Sequence, residues 1–545
     1  MKKILLYGLV FSLALTGCKK QLDVKNPNEP TPDASTTEQG IVSLAQGSIY
    51  INGFKTLKYG DGVFGLYWSG AMGFHELLGD VVGAEAANSF LNQIGCPNKV
   101  TLDNNSVVVN PNNPNTWYTF ARTVNQNDQQ GSNFSYYEWA YSYNMITSCN
   151  SLLNLIPKVS FTGNSASKVA ALKAWAHFWK GFAYSHIGSI YYAGIINNSF
   201  AATNGNYVTK EAIITEANAQ LDAAIADLGG VTSSGDYNTV IAKLIPSFCQ
   251  VGKGLPPTAA MWIRTINTLK ARNILVNKVF SSMTASDWNA ILTLTNNGVQ
   301  SGDYIFTGRT TATSDFLPAA SGYVAAKIQS TSPGGGTYKL SERWVQEFKT
   351  GDLRKTQNVR TGTTWIGNSD RGNAFNTRHT LINGGNGLSG TYTYASTTAG
   401  AFELPLASTY EENALMKAEA LINTGQVNQG LALVDAVRTA MGAGLAAVAN
   451  TGLTQAQAQE ELRRERRIAL AFRGLSFYDA RRYKISEPVA NGGGRTGCVV
   501  ITTAGGVNTN ATIEYGYLDY WDVPDNELAY NPAASGSAAT KNPKQ

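Results

Sequence analysis

Aromatic residues beside amide side chains are the first candidates for chemistry in this sequence. Trp117 and Tyr118 follow an Asn-rich segment at 112–115, Trp365 lies between threonines and a nearby Gly-Asn pair, and Trp68 precedes Ser-Gly. A sugar ring has an apolar C–H face and a rim of hydroxyls, so a sugar site needs an exposed planar aromatic beside polar side chains. We therefore expect all four aromatic residues to contact a ligand. The alternative for each is a ring packed beneath its own loop.

Motifs for metal, nucleotide or nucleophile chemistry are incomplete. The segment His75–Gly79 begins like H-E-x-x-H, but a glycine replaces the second histidine. Gly385–Gly390 fits G-x-G-x-x-G by letter, yet Thr-Tyr alternation follows it instead of a helix. We expect no metal, no cofactor and no catalytic residue. Paired carboxylates of glycosidases meet in space without a fixed spacing, so a hydrolase remains an alternative.

The composition favours a globular protein with an uncharged polar surface. The chain has 545 residues, of which 43% are hydrophobic, 10% aromatic and 15% charged. Because average soluble domains contain about 25% charged residues, neutral polar residues must provide much of this surface. The formal charge of +5 is too small for a phosphate-dominated partner. We therefore expect no role in nucleic-acid binding.

The N-terminal segment predicts export and a lipid anchor. Two lysines precede an apolar run at 4–15, which is shorter than the roughly 20 residues of a spanning helix. The Leu-Thr-Gly-Cys sequence ending at Cys18 resembles a bacterial lipobox. We expect a lipoprotein signal peptide at 1–17, acylation of Cys18 by chains such as palmitate, and a flexible tether at 18–39. The alternative is an ordinary signal peptide with a chance cysteine.

Helical periodicity dominates the body, which we expect to be one unit at 40–545. Apolar residues recur every three or four positions, and Thr209 and Thr454 are placed to cap helices. The segment 418–438 predicts a tight helical hairpin that turns at Gly425. Loop insertions rich in Asn, Gly, Thr and Ser are expected at about 92–133 and 302–400. The predicted fold is mainly α, with tetratricopeptide-like hairpins packed against an irregular, loop-rich ligand-binding portion.

Cysteines and charges along the body indicate structural roles. No C-x-x-C pair occurs among the four cysteines of the body, Cys96, Cys149, Cys249 and Cys498. Disulfides between them and free thiols are both alternatives at this point. Cys149 lies in an apolar helical stripe, where we expect a buried free thiol. The charge run at 460–467 has apolar residues beneath it at helical spacing, which favours a structural helix with internal ion pairs.

This charged helix also carries a resemblance to a known family. The stretch 465–474, ERRIALAFRG, followed by Phe477–Asp479 and Arg481–Tyr483, resembles a signature of the SusD/RagB family of Bacteroidetes outer-membrane lipoproteins. Family members usually have Glu at the positions of Ala469 and Arg473. Further similar blocks occur in order along the chain: 26–28 after the lipobox, 173–188, 344–348, 351–354, 515–517, 521–524 and 531–532.

The resemblance implies a surface protein without catalytic activity. Such proteins capture oligosaccharides, or sometimes peptides, and work with a SusC-like TonB-dependent transporter in the outer membrane. The implied location is the outer membrane, lipid-anchored and facing the cell exterior. Two alternatives from other classes are a secreted helical glycan hydrolase and a surface structural protein that binds no small ligand.

Overall fold

The computed structural model describes residues 36–47, 73–84, 91–110, 117–129, 133–200, 204–309, 338–366, 376–385, 394 and 403–544. Helices form most of these ranges, and the prediction of a mainly α fold with tetratricopeptide-like hairpins is confirmed. Within the described ranges, no helix combines the length and the apolar character that crossing a membrane requires.

The helices, in chain order, are α1 Glu38–Ala45, α2 Gly73–Leu78, α3 Leu91–Ile94, α4 Trp117–Val124, α5 Phe134–Leu155, α6 Ser165–Ile190, α7 Lys210–Gly229, α8 Ser234–Leu244, α9 Ala259–Val276, α10 Ala285–Asn296, α11 Glu342–Val345, α12 Leu353–Asn358, α13 Tyr410–Asn423, α14 Val427–Ala440, α15 Gln455–Ala469, α16 Ser476–Arg482 and α17 Asp525–Tyr530. The strands are β1 Val82–Ala84, β2 Lys99–Thr101, β3 Val107–Val109, β4 Ala193–Ile195, β5 Tyr207–Thr209, β6 Thr307–Arg309, β7 Tyr338–Leu340, β8 Val359–Ile366, β9 Thr377–Leu381, β10 Glu403–Pro405, β11 Arg495–Ile501 and β12 Val507–Glu514.

The long helices pack side by side as antiparallel neighbours. Helix α6 packs against α5 and α7, while α9 contacts α7 and α10. The series continues because α10 packs against α13, and α13 packs against α14 and α15. Each helix therefore buries its apolar stripe between two neighbours, as in stacked helical hairpins.

Tryptophans fill the interface between α6 and α9. Trp175, Trp179 and Trp262 are fully buried and contact the ring of Phe306 at centroid distances of 5.3–5.8 Å. Such tilted and edge-to-face contacts suit the charge distribution of aromatic rings. Cys149, one helix away on α5, is a buried free thiol as predicted, and burial raises its pKa.

The predicted hairpin at 418–438 is confirmed as α13 and α14. Gly425 has φ +85°, and the Gln426 N–H donates to the Leu421 carbonyl at 2.8 Å. This six-residue closure is the Schellman ending of a helix. Gly430 on α14 then allows a close crossing, because a Cβ there would lie 2.7 Å from the Ala418 carbonyl oxygen.

Small antiparallel sheets connect distant parts of the chain. The four-stranded sheet has the order β11-β12-β2-β3, and β12 pairs with β2 through Thr512 and Thr101. The other sheets are two-stranded: β1-β7, β4-β5, β10-β6 and β8-β9. The expected loop insertion at 92–133 contains β2, β3 and α4, and the described parts of 302–400 contain short strands and helices.

Candidate functional site

The structure describes the surroundings of only some of the candidate ligand-binding residues. Cys18 and Trp68 lie outside the described residues. Trp365 is the second-last residue of β8, and the structure describes its backbone. Their expected roles in lipid attachment and ligand contact therefore stay predictions.

Trp117 and Tyr118 begin helix α4 and point into the protein. The Trp117 side chain is 1% exposed, and its Nε1 donates to the Ile94 carbonyl at 2.8 Å. Its ring packs against Tyr517 and Phe134 at centroid distances of 5.2 and 5.7 Å. Tyr118 is also buried. Both side chains are thus packed inside the protein, which is the alternative to ligand contact that the sequence analysis gives.

A cavity of about 270 Å³ opens between the helices α6, α7, α9 and α10. The first turns of helix α7 form part of the cavity wall. This helix begins after Thr209, whose side chain accepts a hydrogen bond from the Ala212 N–H and so caps the helix as predicted. The cavity is lined by amides, paired charges, aliphatic side chains and one tyrosine: Gly188, Lys210, Glu211, Ile214, Asn218, Asn273, Ile274, Asn277, Lys278, Asp287 and Tyr520.

The inner wall of this cavity consists of asparagines with fixed orientations. Asn273 Nδ2 donates to Ser185 Oγ at 2.9 Å and to Asn218 Oδ1 at 3.1 Å. Asn277 Nδ2 donates to Ser189 Oγ at 2.9 Å. Asn273 is 2% exposed, and no donor among the described residues reaches its Oδ1. A buried amide oxygen without a donor is an acceptor that a hydroxyl of a ligand or a water can satisfy.

Charges at the rim are neutralised locally. Lys210 pairs with Glu211, and its Nζ lies 4.8 Å from the centroid of the Tyr520 ring. Lys278 pairs with Asp287. Burial raises the pKa of Asp287, but hydrogen bonds from Lys278 and Thr284 outweigh burial and lower it. The paired charges leave the amides as the main recognition groups.

This arrangement suits a small neutral ligand with several hydroxyls. Amides can donate to and accept from hydroxyl groups, while Ile214, Ile274 and Tyr520 offer apolar surface. The volume lies just below the range of about 300–1,000 Å³ that is common for small-molecule pockets. The sequence prediction did not include these residues because it searched loops. The available signal was Asn273 inside α9, since asparagine is unfavourable inside helices.

The charged helix α15 has the structural role that the sequence predicted. Arg466 forms two hydrogen bonds of 3.0 Å with Asp479, and Arg482 forms a two-point ion pair with Glu419 inside the core. Arg473, which stands where family members usually have Glu, pairs with Glu411 at 3.1 Å. The change of charge at position 473 is therefore accommodated by an acid on α13.

Histidines in the described ranges make contacts within the protein. His75 Nε2 lies 2.8 Å from Glu138 Oε1, and both side chains are buried. No group of three or more His, Cys, Asp or Glu side chains in these ranges is arranged to hold a metal ion.

Comparisons with known proteins agree with this architecture. Residues 409–535 match the model of the SusD family. A SusD-like carbohydrate-binding protein from Bacteroides fragilis NCTC 9343 is 15% identical, with 91% of this chain and 98% of that chain covered and a TM-score of 0.55. One from Bacteroides vulgatus ATCC 8482 is 14% identical, with 92% and 98% covered and a TM-score of 0.54.

A more distant match is the surface glycan-binding protein A from Bacteroides fluxus, which is 15% identical, with 82% of this chain and 89% of that chain covered and a TM-score of 0.50. No curated protein matches the chain. The resemblance to the SusD/RagB family is thus confirmed: the chain has the fold of SusD-like proteins, and its residues 409–535 match the SusD family.

Proposed function

We propose that this protein is a lipid-anchored nutrient-binding protein of the bacterial outer membrane. It captures glycans, or peptides, at the cell exterior and passes them to a SusC-like TonB-dependent transporter. The observation that carries the proposal is the SusD fold together with the family match at 409–535. Two of the similar structures are described as carbohydrate-binding proteins, which supports a glycan as the ligand. The lipobox at Cys18 supports the anchor.

Two groups of residues are proposed to contact the ligand. Trp68 and Trp365 are the stacking aromatics, while Trp117 and Tyr118 contact a ligand only in a conformation that uncovers them. The amide-lined cavity is a second candidate, in which Asn273 offers a free acceptor. Substitution separates the two groups because they lie on different elements.

Calorimetric titration of the protein from residue 19 onward tests ligand capture. The titrants are oligosaccharides and peptides, and the ligand is recovered and checked for cleavage. We expect saturable binding with the ligand intact. Cleaved ligand would favour the hydrolase alternative, and the absence of binding to every titrant would favour a structural surface protein.

Asparagine substitutions test whether the cavity is the site. Asn218→Ala removes an amide from the cavity wall and should weaken binding about tenfold, as expected for a lost pair of hydrogen bonds. Asn289→Ala is the matched control, because Asn289 is exposed on the nearby helix α10. If only Trp68→Ala or Trp365→Ala weakens binding, the aromatic residues form the site and the cavity does not.

The anchor and the partner have their own tests. Cys18→Ala should move the protein from the membrane fraction to the soluble fraction, since the lipid chains supply the membrane affinity. Purification of tagged protein from gently solubilised outer membranes should recover a transporter barrel. Recovery without any barrel, under conditions that preserve such complexes, would count against the import role.

A further inference from the structure

An arginine-rich cleft lies on the other side of helix α15 from the core. It has a volume of about 420 Å³ and is bounded by α15, the start of β11 and the residues around α11. The arginines at its wall are Arg343, Arg463, Arg464 and Arg495. A cavity of about 40 Å³ shares Arg463 and Arg495 with the cleft and adds Arg467.

Carboxylates neutralise only part of this charge. Arg343 donates to both oxygens of Asp80 at 3.0 and 2.8 Å. Arg463 donates to both oxygens of Glu347 at 2.8 and 2.7 Å. Glu460 is shared by two arginines, Arg463 and Arg464. Apart from Arg466 and Asp479, which line the small cavity and pair with each other, five guanidinium groups therefore face three carboxylates among the described residues.

Arg495 is the incompletely paired member. Its Nε lies 3.8 Å from Asp80 Oδ2, beyond hydrogen-bond distance, and this buried atom has no hydrogen-bond acceptor among the described residues. Arg467, in contrast, has its Nε 3.2 Å from Glu347 Oε1 and donates to the backbone carbonyls of Gly79 and Asp80. Burial and the nearby Arg495 lower the pKa of Arg467 to about 10. Positive charge is thus concentrated here.

A neighbouring cluster around Glu461 and Glu465 of α15 is fully paired. Each cation there has a carboxylate partner within 2.9 Å, and the numbers of the two charges are equal: Lys349, Arg354 and Arg438 with Asp352, Glu461 and Glu465. The cleft therefore has a surplus of cations that this neighbouring cluster does not have. Uncompensated buried charge is unfavourable, and a bound anion offsets this cost.

We propose that this cleft binds an oxyanion, carried by a small ligand or present as a free ion. Guanidinium groups recognise carboxylate, sulfate and phosphate through their N–H donors, and the Nε–H of Arg495 at the cleft wall is a donor without an acceptor. The volume is sufficient for an acid the size of one sugar ring. This site is separate from the amide-lined cavity and does not depend on the proposed glycan function.

Calorimetric titration of the protein from residue 19 with sulfate, phosphate, glucuronate and glucose tests the proposal. We expect saturable binding of at least one of the three anions and none of glucose at this site. Binding of glucuronate alone identifies a ligand carboxylate, and binding of sulfate or phosphate alone identifies a free ion. Absence of binding for all three anions overturns the proposal.

Variants place the binding in the cleft. Arg495→Gln should weaken anion binding at least about tenfold, the value of one hydrogen bond to a charged group. Arg264→Gln is the matched control, because Arg264 pairs with Asp303 away from the cleft. Unchanged anion binding by Arg495→Gln, with a native circular dichroism spectrum, overturns the proposal.

A second variant avoids the buried wall. Arg464 is at the mouth, 35% exposed, and its ion pair is with Glu460. Arg464→Gln should leave the melting temperature unchanged and weaken anion binding several-fold. An unchanged affinity in this variant also overturns the proposal, while a loss of neutral-glycan binding alone bears only on the proposed function.

Discussion

Three arginines converge on the carboxylate of Asp80. Arg343 binds it at two points, Tyr515 donates its hydroxyl proton to it, and Arg467 and Arg495 lie nearby. All of these side chains are largely buried. At the scale of single residues, the Asp80 carboxylate offsets part of the cost of burying these guanidinium groups.

Removal of the Asp80 charge should destabilise the protein strongly. Asp80→Asn keeps the shape but leaves Arg343 buried without an anion, so we expect a loss of about 3–5 kcal/mol in the free energy of unfolding. Urea denaturation measures this loss. The control is Asp128→Asn, because Asp128 is exposed in a short helical turn. Equal stability of the two variants would contradict this assignment.

Buried acids also predict how stability depends on pH. Burial raises the pKa of Asp80, but the nearby Arg343 outweighs burial and lowers this pKa. Burial likewise raises the pKa of Glu342, but hydrogen bonds from His379 and Arg378 outweigh it and lower that pKa. A lowered folded-state pKa gives stability that is present above the unfolded value of about 4 and is lost as pH falls below it. We expect constant melting temperatures from pH 7 to about pH 5 and a steep fall below pH 4. Asp80→Asn should make that fall less steep.

Close helix crossings set the geometry at the scale of elements. Gly181 on α6 faces α7 so closely that a Cβ would lie 2.8 Å from Leu221 Cγ and 3.0 Å from the Ala217 carbonyl oxygen. A Cβ added at Gly229, at the end of α7, would have no neighbouring atom within 4 Å. The two glycines are thus a matched pair with opposite surroundings.

Alanine at these two positions should have opposite effects. Gly181→Ala forces α6 and α7 apart, and we expect a loss of about 1–3 kcal/mol in the free energy of unfolding despite the higher helix propensity of alanine. Gly229→Ala should be neutral or stabilising by up to about 1 kcal/mol. Chemical denaturation of both variants measures the difference. A harmless Gly181→Ala would show that the helices can separate at little cost.

Sequence patterns predicted helices better than they predicted the site. Local signals determine a cap or a Schellman turn, so Thr209, Thr454 and Gly425 were identified correctly. A glycine pair after a helix is a weaker signal, because Gly230 after α7 has φ −80° and is not left-handed.

The site was harder to predict because distant contacts decide it. Trp117 is buried by Tyr517, some 400 residues away, and no local pattern shows such a contact. The amide cavity combines α7, α9 and Tyr520 for the same reason.

The C-terminus ties the whole molecule together. Asn542 is buried and bridges Asp519 and the Tyr520 carbonyl at 2.8 Å, and its own carbonyl accepts a bond from Arg122. Lys544 pairs with Glu487 and Asp519. Residues 542–544 thus connect helix α4 with Glu487 and with the segment at 519–520.

Deletion of residues 541–545 should lower the melting temperature by several degrees. Asp519 would lose two partners and Arg122 would lose two carbonyl acceptors, and unsatisfied buried groups cost about 1–3 kcal/mol each. Lys541→Ala is the control, because that side chain is 59% exposed. A thermal scan followed by circular dichroism measures both. An unchanged transition in the truncated protein would show that these contacts are dispensable.

The pairing of β2 with β12 has a consequence for the order of folding. The hydrogen bond from the Asp103 N–H to Asn508 joins residues 405 positions apart. Closing so long a loop has an entropic cost before any contact compensates for it, so the sheet must form late, after the helices have assembled locally. In a chain that emerges N-terminus first, β2 and β3 therefore remain an uncompleted hairpin until β12 at 507–514 has also emerged. During that interval the open edge of β2 is a place where a chaperone can bind or a second chain can pair.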